Sequence, residues 1–475
     1  MSGTILLIAA LVTLFLGSAL AESPLSPLLP LVSALGREQS GWRFYNASAS
    51  FGYSTIALPL NSALPAFALE RLQSDYDGTA TASMGYAFSG ENTRVSLLYS
   101  PSYVRRVRFS ELKAFNQSLG FSVSRQIVPR WTAALSAQAA DSTLDQILFT
   151  PAILSLSTNP AANLDDLASA ARLGQYSSDQ LASILTGAPY VETPARSLVY
   201  GASFLSLSVS PSLTYKHTPR LSFQFAGGFN RSQTRNSDSK DLNGTVNYLI
   251  PRTTSENVSA EMNYSLSPRT QIGVRGNSNR LESSFARYYV TTSTFNVNHK
   301  LTPHWFANLQ GGVGVYSPIA DPLFARRTAA PAGYMLQMNA GYTQHSHSLM
   351  GGYSRVVGDS YGFGSVWSDM TSASWQWRAP GRPWMLHGSG GMQRMFGGAV
   401  GNVRYWYANS GVGQSLTREL TLNFLFSYVD RPADSSSFSS LSLQSLTGFS
   451  ARVALVFSPH GRGPQIGNSG AGARP

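Results

Sequence analysis

A short phrase built around proline and a basic residue returns along the chain. It reads Val128-Pro129-Arg130-Trp131, Thr218-Pro219-Arg220-Leu221, Ser267-Pro268-Arg269-Thr270 and Thr302-Pro303-His304-Trp305. Nearly every copy is followed by a run in which apolar and small polar residues alternate. Because proline cannot donate to a strand ladder and presets the backbone of a tight turn, it belongs at strand ends. The phrase therefore predicts a turn between two antiparallel strands, repeated many times.

The alternating runs have an unusual polar face. Along residues 420–428, leucine and aromatic residues alternate with Thr421, Asn423 and Ser427, and residues 205–216 and 258–266 follow the same rule. Successive residues of a strand point to opposite faces of its sheet. The polar faces carry mainly small uncharged residues, whereas a solvent-facing strand would carry more lysine and glutamate. Such strands fit a wall with lipid on one side and a confined wet lumen on the other.

Composition supports a barrel wall over other classes. Of 475 residues only 12% are charged, about half the share usual in soluble domains. Hydrophobic residues reach only 43%, which excludes a bundle of membrane helices. The chain has no cysteine, so thiolate catalysis and cysteine-ligated metals are excluded. The net charge is +11, but apart from the group Arg105, Arg106 and Arg108 the arginines are scattered singly, and we do not expect nucleic-acid binding.

The short turns give a strand count. They fall near residues 90, 129, 218, 267, 302, 345, 381 and 417, with longer polar stretches between them. This rhythm is typical of short periplasmic turns and long outer loops. We predict an all-β transmembrane antiparallel up-and-down β-barrel of about 16 strands, within a range of 14–18, whose last strand covers about 448–457.

The chain divides into four parts. An apolar run over residues 5–17 precedes Ala19-Leu20-Ala21, which predicts a signal peptide at 1–21, with an N-terminal membrane anchor as the alternative. Residues 22–78 are assigned to a periplasmic or plug segment, residues 79–457 to the barrel, and the Gly- and Pro-rich residues 458–475 to a disordered tail.

One long connection, residues 141–198, has helical signals. Asn163 could cap a helix over 164–173 that ends at Gly174, and a second helix could run from Ser177 or Ser178 to Thr186. The connection is predicted to be a partly helical outer loop. It either folds into the lumen as a constriction or rests on the rim as a lid.

These features together resemble Gram-negative outer-membrane β-barrel proteins of the porin-like type. The resemblance rests on the export signal, the Pro-Arg turns, the alternating strands and the closing run from Gly448 to Phe457. It implies an outer-membrane location, contact with outer-membrane lipid and lipopolysaccharide, small solutes as cargo, and a homotrimer. It also implies that the barrel-assembly machinery reads Phe457, although eighteen residues follow it here.

The polar faces nominate charged residues for the lumen. Alternation places five basic residues and one acid there: Lys216, Arg275, Lys300, Arg378, Arg452 and Glu261. A channel lined with more cations than anions would favour anionic solutes. Alternatively, the arginines pair with acids across the lumen and brace the wall.

Three tryptophans follow the short turns. Trp131, Trp305 and Trp384 lie at similar distances after a proline, which predicts an aromatic girdle at the membrane–water interface. The alternative is that they fill the core of a soluble sheet.

Candidate catalytic and metal sites are weak. His387 and Ser389 would share a strand face, but the G-x-S-x-G elbow of a hydrolase is missing. His345 and His347 also share a face but have no third ligand nearby. We therefore predict no enzyme, no cofactor and no metal.

The leading hypothesis is a passive or gated outer-membrane pore for small, anionic solutes. The alternative is a structural or adhesive outer-membrane barrel that acts through its outer loops, and a barrel enzyme ranks below both. A soluble secreted β-protein is the main structural rival.

Overall fold

The computed structural model describes most of the chain between residues 41 and 457. The described ranges are 41–59, 70–108, 113–143, 203–234, 252–283, 287–302, 304–320, 332–344, 346–359, 365–380, 382–396, 403–417, 419–431 and 446–457. The predicted signal peptide, the predicted helices of the 141–198 connection and the predicted tail at 458–475 lie outside the described residues.

All regular structure in the described residues is β-strand. In chain order the strands are β1 Gly41–Pro59, β2 Glu70–Ser89, β3 Thr93–Arg106, β4 Lys113–Val128, β5 Trp131–Thr143, β6 Ser203–Lys216, β7 Leu221–Thr234, β8 Thr253–Ser267, β9 Thr270–Ser283, β10 Arg287–Lys300, β11 Trp305–Ala320, β12 Ala332–Gln344, β13 His347–Asp359, β14 Ser365–Arg378, β15 Trp384–Phe396, β16 Val403–Ser415, β17 Leu420–Arg431 and β18 Leu446–Phe457.

The strands form one closed cylinder. Each strand pairs antiparallel with its neighbours in the chain, and β18 pairs with β1 through a register that runs from Ala47 opposite Phe457 to Ser54 opposite Ser450. The predicted fold class, an antiparallel up-and-down β-barrel, is confirmed. Within the described residues, no helix is both long enough and apolar enough to cross a bilayer.

The described residues form 18 strands, so the central estimate of 16 is two too low. The eight short turns join β2 to β3, β4 to β5 and so on to β17. They therefore account only for β2 to β17. The remaining two strands, β1 and β18, meet through closure of the cylinder and have no turn between them, so counting turns does not reveal this pair.

The N-terminal part of the wall was misassigned. Residues 41–59 and 70–78 belong to the predicted periplasmic or plug segment, and this prediction is wrong, because they form β1 and the first half of β2. Residues 42–53 look strand-like in the sequence, but β1 pairs with β18 at the far end of the chain, and no nearby partner reveals this. A β-bulge also lies between Phe44 and Asn46. Among the described residues, the barrel wall begins at Gly41.

The repeated turn phrase works through a hydroxyl as well as a proline. The Thr302 Oγ1 atom accepts backbone hydrogen bonds from His304 N at 3.2 Å and Trp305 N at 3.0 Å. Thr218 makes the same pair of contacts with Arg220 N and Leu221 N. The side chain thus satisfies backbone donors that the tight turn leaves free of the ladder.

Candidate functional site

The outer face of the cylinder is apolar. Large hydrophobic side chains are exposed on alternating positions of most strands, as in Phe424, Phe426 and Tyr428 of β17 and Val453 and Leu455 of β18. A closed antiparallel barrel with an even strand number and an apolar outside matches the membrane class. The chain forms a β-barrel of the membrane-spanning type. Both ends of the wall, Gly41 and Phe457, lie on the side of the short turns.

Aromatic pairs follow the short turns on this outer face. Trp131 stacks on Tyr215 with ring centroids 4.6 Å apart, and Trp305 contacts Tyr342 at 4.8 Å. Trp384 is the first residue of β15 and is partly exposed. Tryptophan and tyrosine favour the level where hydrocarbon meets headgroups. The girdle role of the three tryptophans remains a prediction that this placement supports.

The inner face is found from register, because directly paired residues share a face. Glu261 of β8 opposes Arg275 of β9, and both alternate with outward residues such as Met262 and Val274. The Glu261 Oε1 atom accepts a hydrogen bond from Asn263 Nδ2 at 2.8 Å. The two predicted lumen charges are therefore neighbours on one stretch of inner wall.

The other predicted cations lie at the turn end of the barrel. Lys216, Lys300 and Arg378 are the last residues of β6, β10 and β14, and alternation places each on the inner face. Arg94, the second residue of β3, occupies the same level and face opposite Ser89 and Ser124. We call Arg94, Lys216, Lys300 and Arg378 the basic ring.

Arg452, the fifth predicted cation, belongs to a different feature at the seam. Its Nη2 atom donates to Asp77 Oδ2 at 2.6 Å, and Ser54 and Thr79 hydroxyls donate to the same carboxylate at 3.5 and 3.3 Å. Arg106 opposes Asp77 in register and donates to Ser54 Oγ at 3.4 Å. This seam cluster joins β18, β1, β2 and β3, where the cylinder closes.

The two acids of β2 are deeply buried. Asp77 is 1% exposed, and Asp75 Oδ1 accepts backbone hydrogen bonds from Tyr76 at 2.7 Å and Arg108 at 2.9 Å. Sequence reasoning missed both acids because it placed β2's first half outside the barrel. The signal was present, since Asp75 and Asp77 alternate with Tyr76 and Gly78 in the pattern of the wall.

The rest of the inner wall is polar without charge. Hydroxyl pairs link neighbouring strands, as in Ser96–Ser122 at 2.7 Å and Ser427–Ser450 at 2.6 Å. Between β7 and β12, amide side chains take over, among them Asn263, Asn296 and Asn339 on paired or nearby strands. These groups donate and accept hydrogen bonds, and they suit contact with water or polar solutes.

One inner region is apolar. Leu281, Tyr288, Val290 and Tyr316 form a buried cluster at the outer ends of β9 to β11, and the two tyrosine rings lie 4.9 Å apart. Apolar side chains therefore cover the inner face at the ends of β9 to β11 that lie remote from the short turns. The turn end and the middle of β8 and β9, where Arg275 is exposed, are not part of this cluster.

The weak catalytic and metal candidates are not brought together into one site. His387 and Ser389 share the inner face of β15, where the His387 ring covers Gly411 and Ser389 Oγ accepts from Asn409 Nδ2 at 3.5 Å. His347 faces outward and stacks near Trp375, while His345 lies outside the described residues. The described residues contain no group of three or more potential metal-ligating His, Asp or Glu side chains.

Comparison with known proteins gives fold-level similarity alone. No family model matches the sequence, and no curated protein matches it. Among solved structures, the siderophore receptor PirA of Pseudomonas aeruginosa matches with a TM-score of 0.39 and 8% identity over 87% of this chain and 80% of that chain.

Two further matches come from the same organism. OpdO of Pseudomonas aeruginosa matches with a TM-score of 0.41 and 13% identity over 87% of this chain and 96% of that one. The outer membrane protein OpdK of Pseudomonas aeruginosa matches with a TM-score of 0.40 and 13% identity over 86% of this chain and 98% of that one. Matches at this level assign neither a family nor a substrate to the chain.

Proposed function

We propose that this barrel is a pore for small solutes and that it prefers anions. Barrels of 16–18 strands are wide enough to leave an aqueous channel inside the wall. The inner face described above is mostly hydroxyl, amide and basic, which is suitable for contact with water. We propose no enzymatic role.

The basic ring is the observation that carries the anion preference. Its members lie on β3, β6, β10 and β14, so they are spread around the circumference at the turn end. The acid Glu261 lies deeper, six residues before the end of β8 and opposite Arg275. Rings of lysine and arginine favour anions because they raise the local anion concentration at a constriction or mouth.

Arginine also suits particular anions. Its planar guanidinium forms paired hydrogen bonds with carboxylate and phosphate oxygens, whereas an ammonium acts as a point charge. Arg275 is exposed on the inner face in the middle of the wall, beyond the basic ring along the barrel axis. We therefore propose small carboxylates and phosphates as the solute class.

The proposal extends to export and assembly. It includes removal of residues 1–21 as a signal peptide and recognition of Phe457, the outward-facing last residue of β18, by the barrel-assembly machinery. A homotrimer is proposed from resemblance to porin-like barrels only.

Planar-bilayer recording of the purified protein tests the pore. We expect stepwise ion conductance and, under a potassium chloride gradient, a reversal potential of the sign set by chloride permeation. A barrel that inserts but never conducts would contradict the proposal and favour the structural or adhesive alternative. Conductance with a potassium-selective reversal potential would contradict the anion preference alone.

A further inference from the structure

Amide side chains cover one stretch of the inner wall in two adjacent register rows. In the first row, Asn296 of β10 opposes Gln310 of β11, and Gln310 opposes Gln337 of β12. In the second row, one step nearer the short turns, Asn298 of β10 opposes Asn308 of β11. We call these five residues the amide patch.

The wall itself uses few of the hydrogen-bonding groups of the amide patch. Gln310 Nε2 donates to Thr294 Oγ1 at 2.9 Å, and within the described part of the chain this is the one side-chain hydrogen bond that the patch forms. All five side chains are partly exposed. Their remaining donors and acceptors are therefore directed to whatever fills the lumen.

A recess lies beside the patch at Gly273 of β9, which stands between Asn263 of β8 and Asn296 in register. A Cβ atom at this position would meet the amide oxygens of both asparagines. The Asn296 oxygen has no hydrogen-bond donor among the described residues. Because a shielded acceptor without a donor is unfavourable, a hydroxyl group that enters the recess would be stabilised there.

Two opposite charges border the patch, one row farther from the short turns. Arg275 opposes Glu261 on one side and Thr294 on the other. Its exposed guanidinium forms no ion pair and no hydrogen bond with any described residue. Glu261 Oε1 accepts from Asn263 Nδ2 at 2.8 Å. The donors of Arg275 are thus available to an anion that also lies within reach of Glu261.

The position of Glu261 discriminates between kinds of anion. A simple carboxylate or phosphate on Arg275 offers only acceptors, and its charge would be repelled by the Glu261 carboxylate. An anion that also carries hydroxyl groups can place its charge on Arg275 and donate a hydrogen bond to Glu261. The amides favour the same solute, because an amide both donates and accepts hydrogen bonds, as a hydroxyl group does.

The spacing of these groups matches a sugar. Neighbouring strands lie about 4.8 Å apart, and rows separated by two residues lie about 7 Å apart along a strand. Arg275, the recess at Gly273 and the first row of the amide patch therefore lie within the span of one or two sugar rings.

We infer that the amide patch, together with Arg275 and Glu261, binds sugar acids. The carboxylate contacts Arg275, and the hydroxyl groups contact Glu261, the recess and the amides. This site rests on the proposed function, and it narrows the proposed small carboxylates to polyhydroxylated ones.

Ligand-observed NMR titration of the folded barrel, in a detergent without a sugar headgroup, tests the site. The probe is D-glucuronate, and its matched control is cyclohexanecarboxylate, which has a six-membered ring and a carboxylate but no hydroxyl groups. Methyl glucoside provides the hydroxyl groups without the charge. We expect glucuronate to bind roughly tenfold or more tightly than either control compound.

A triple variant separates the amide patch from the rest of the wall. Asn296→Ala/Gln310→Ala/Gln337→Ala should weaken glucuronate binding by roughly tenfold and leave that of cyclohexanecarboxylate unchanged. The matched control removes three inner amides from strands outside the patch, as Gln138→Ala/Gln376→Ala/Asn409→Ala, and should bind glucuronate as the wild type does. Heat-modifiable electrophoretic mobility verifies that both variants are folded.

Three results would overturn the sugar-acid site. They are no binding of glucuronate by the wild type, equal binding of glucuronate and cyclohexanecarboxylate, and equal losses in the two triple variants. A barrel that conducts ions in planar bilayers but gives one of these results keeps the pore proposal and loses only the site. Glucuronate binding with the expected pattern, in a barrel that never conducts, would support the site and contradict the pore.

Discussion

Replacing Lys216, Lys300 and Arg378 with glutamate is expected to turn an anion-preferring pore into a cation-preferring one. These three residues and Arg94 form the basic ring at the turn end of the inner wall. The triple change leaves Arg94 as the ring's remaining cation and introduces three acids. The reversal potential in a potassium chloride gradient should change sign, with the permeability ratio shifting by roughly tenfold or more.

Glutamine at the same three positions provides an intermediate case, in which the preference should weaken without reversing. The matched control changes three outward arginines, Arg231, Arg280 and Arg287, to glutamine. This control removes the same formal charge on the lipid side and should leave the reversal potential where it was. If this control shifts the reversal potential as much as the glutamine variant of the basic ring does, the anion preference is set by the net charge of the protein and not by the position of the ring.

An Asp77→Asn substitution is expected to lower the free energy of unfolding by about 2–3 kcal/mol. Asp77 is 1% exposed and accepts from Arg452, Ser54 and Thr79 at the seam. Asparagine keeps the volume but removes the counter-charge of Arg452. The cost is below that of breaking a fully buried ion pair because the Arg452 side chain remains 37% exposed.

The Glu282→Gln variant is the matched control for the seam. Glu282 also holds charged contacts, with Arg280 and Arg287, but these partners are 41% and 54% exposed, at the ends of β9 and β10 remote from the short turns. Exposed pairs contribute less than about 1 kcal/mol, so the loss should be correspondingly small. Urea titration of folding into lipid vesicles measures the free energy of unfolding of both variants. Equal losses of stability in Asp77→Asn and Glu282→Gln would contradict a special role for the seam cluster.

The turns made most of the fold predictable from the sequence. Each proline-containing phrase is local, and its hydroxyl acts within three residues, as Thr302 does with Trp305. Period-two alternation then placed Glu261 and Arg275 on one face without any knowledge of tertiary structure. These features are local in the chain, which is why a single sequence reveals them.

Local sequence patterns do not reveal how the barrel closes. Arg452 and Asp77 are separated by 375 positions, and β1 carries a bulge at Phe44 that breaks its pattern. The outward Arg355–Asp369 ion pair has the same character, since its two residues come from separate strands and meet only through register. Contacts between residues of different strands can be identified only when the strand pairing is known.

Single cysteines at Val274 and Arg275 give the most direct test of lipid outside and water inside. The chain has no native cysteine, so each variant carries one thiol. Both side chains are exposed, Val274 outward and Arg275 on the inner face. In intact outer membranes, we predict that a hydrophilic maleimide labels Arg275→Cys and spares Val274→Cys. Equal labelling of both would show that water reaches the two faces of the sheet alike and would contradict a lipid-embedded barrel.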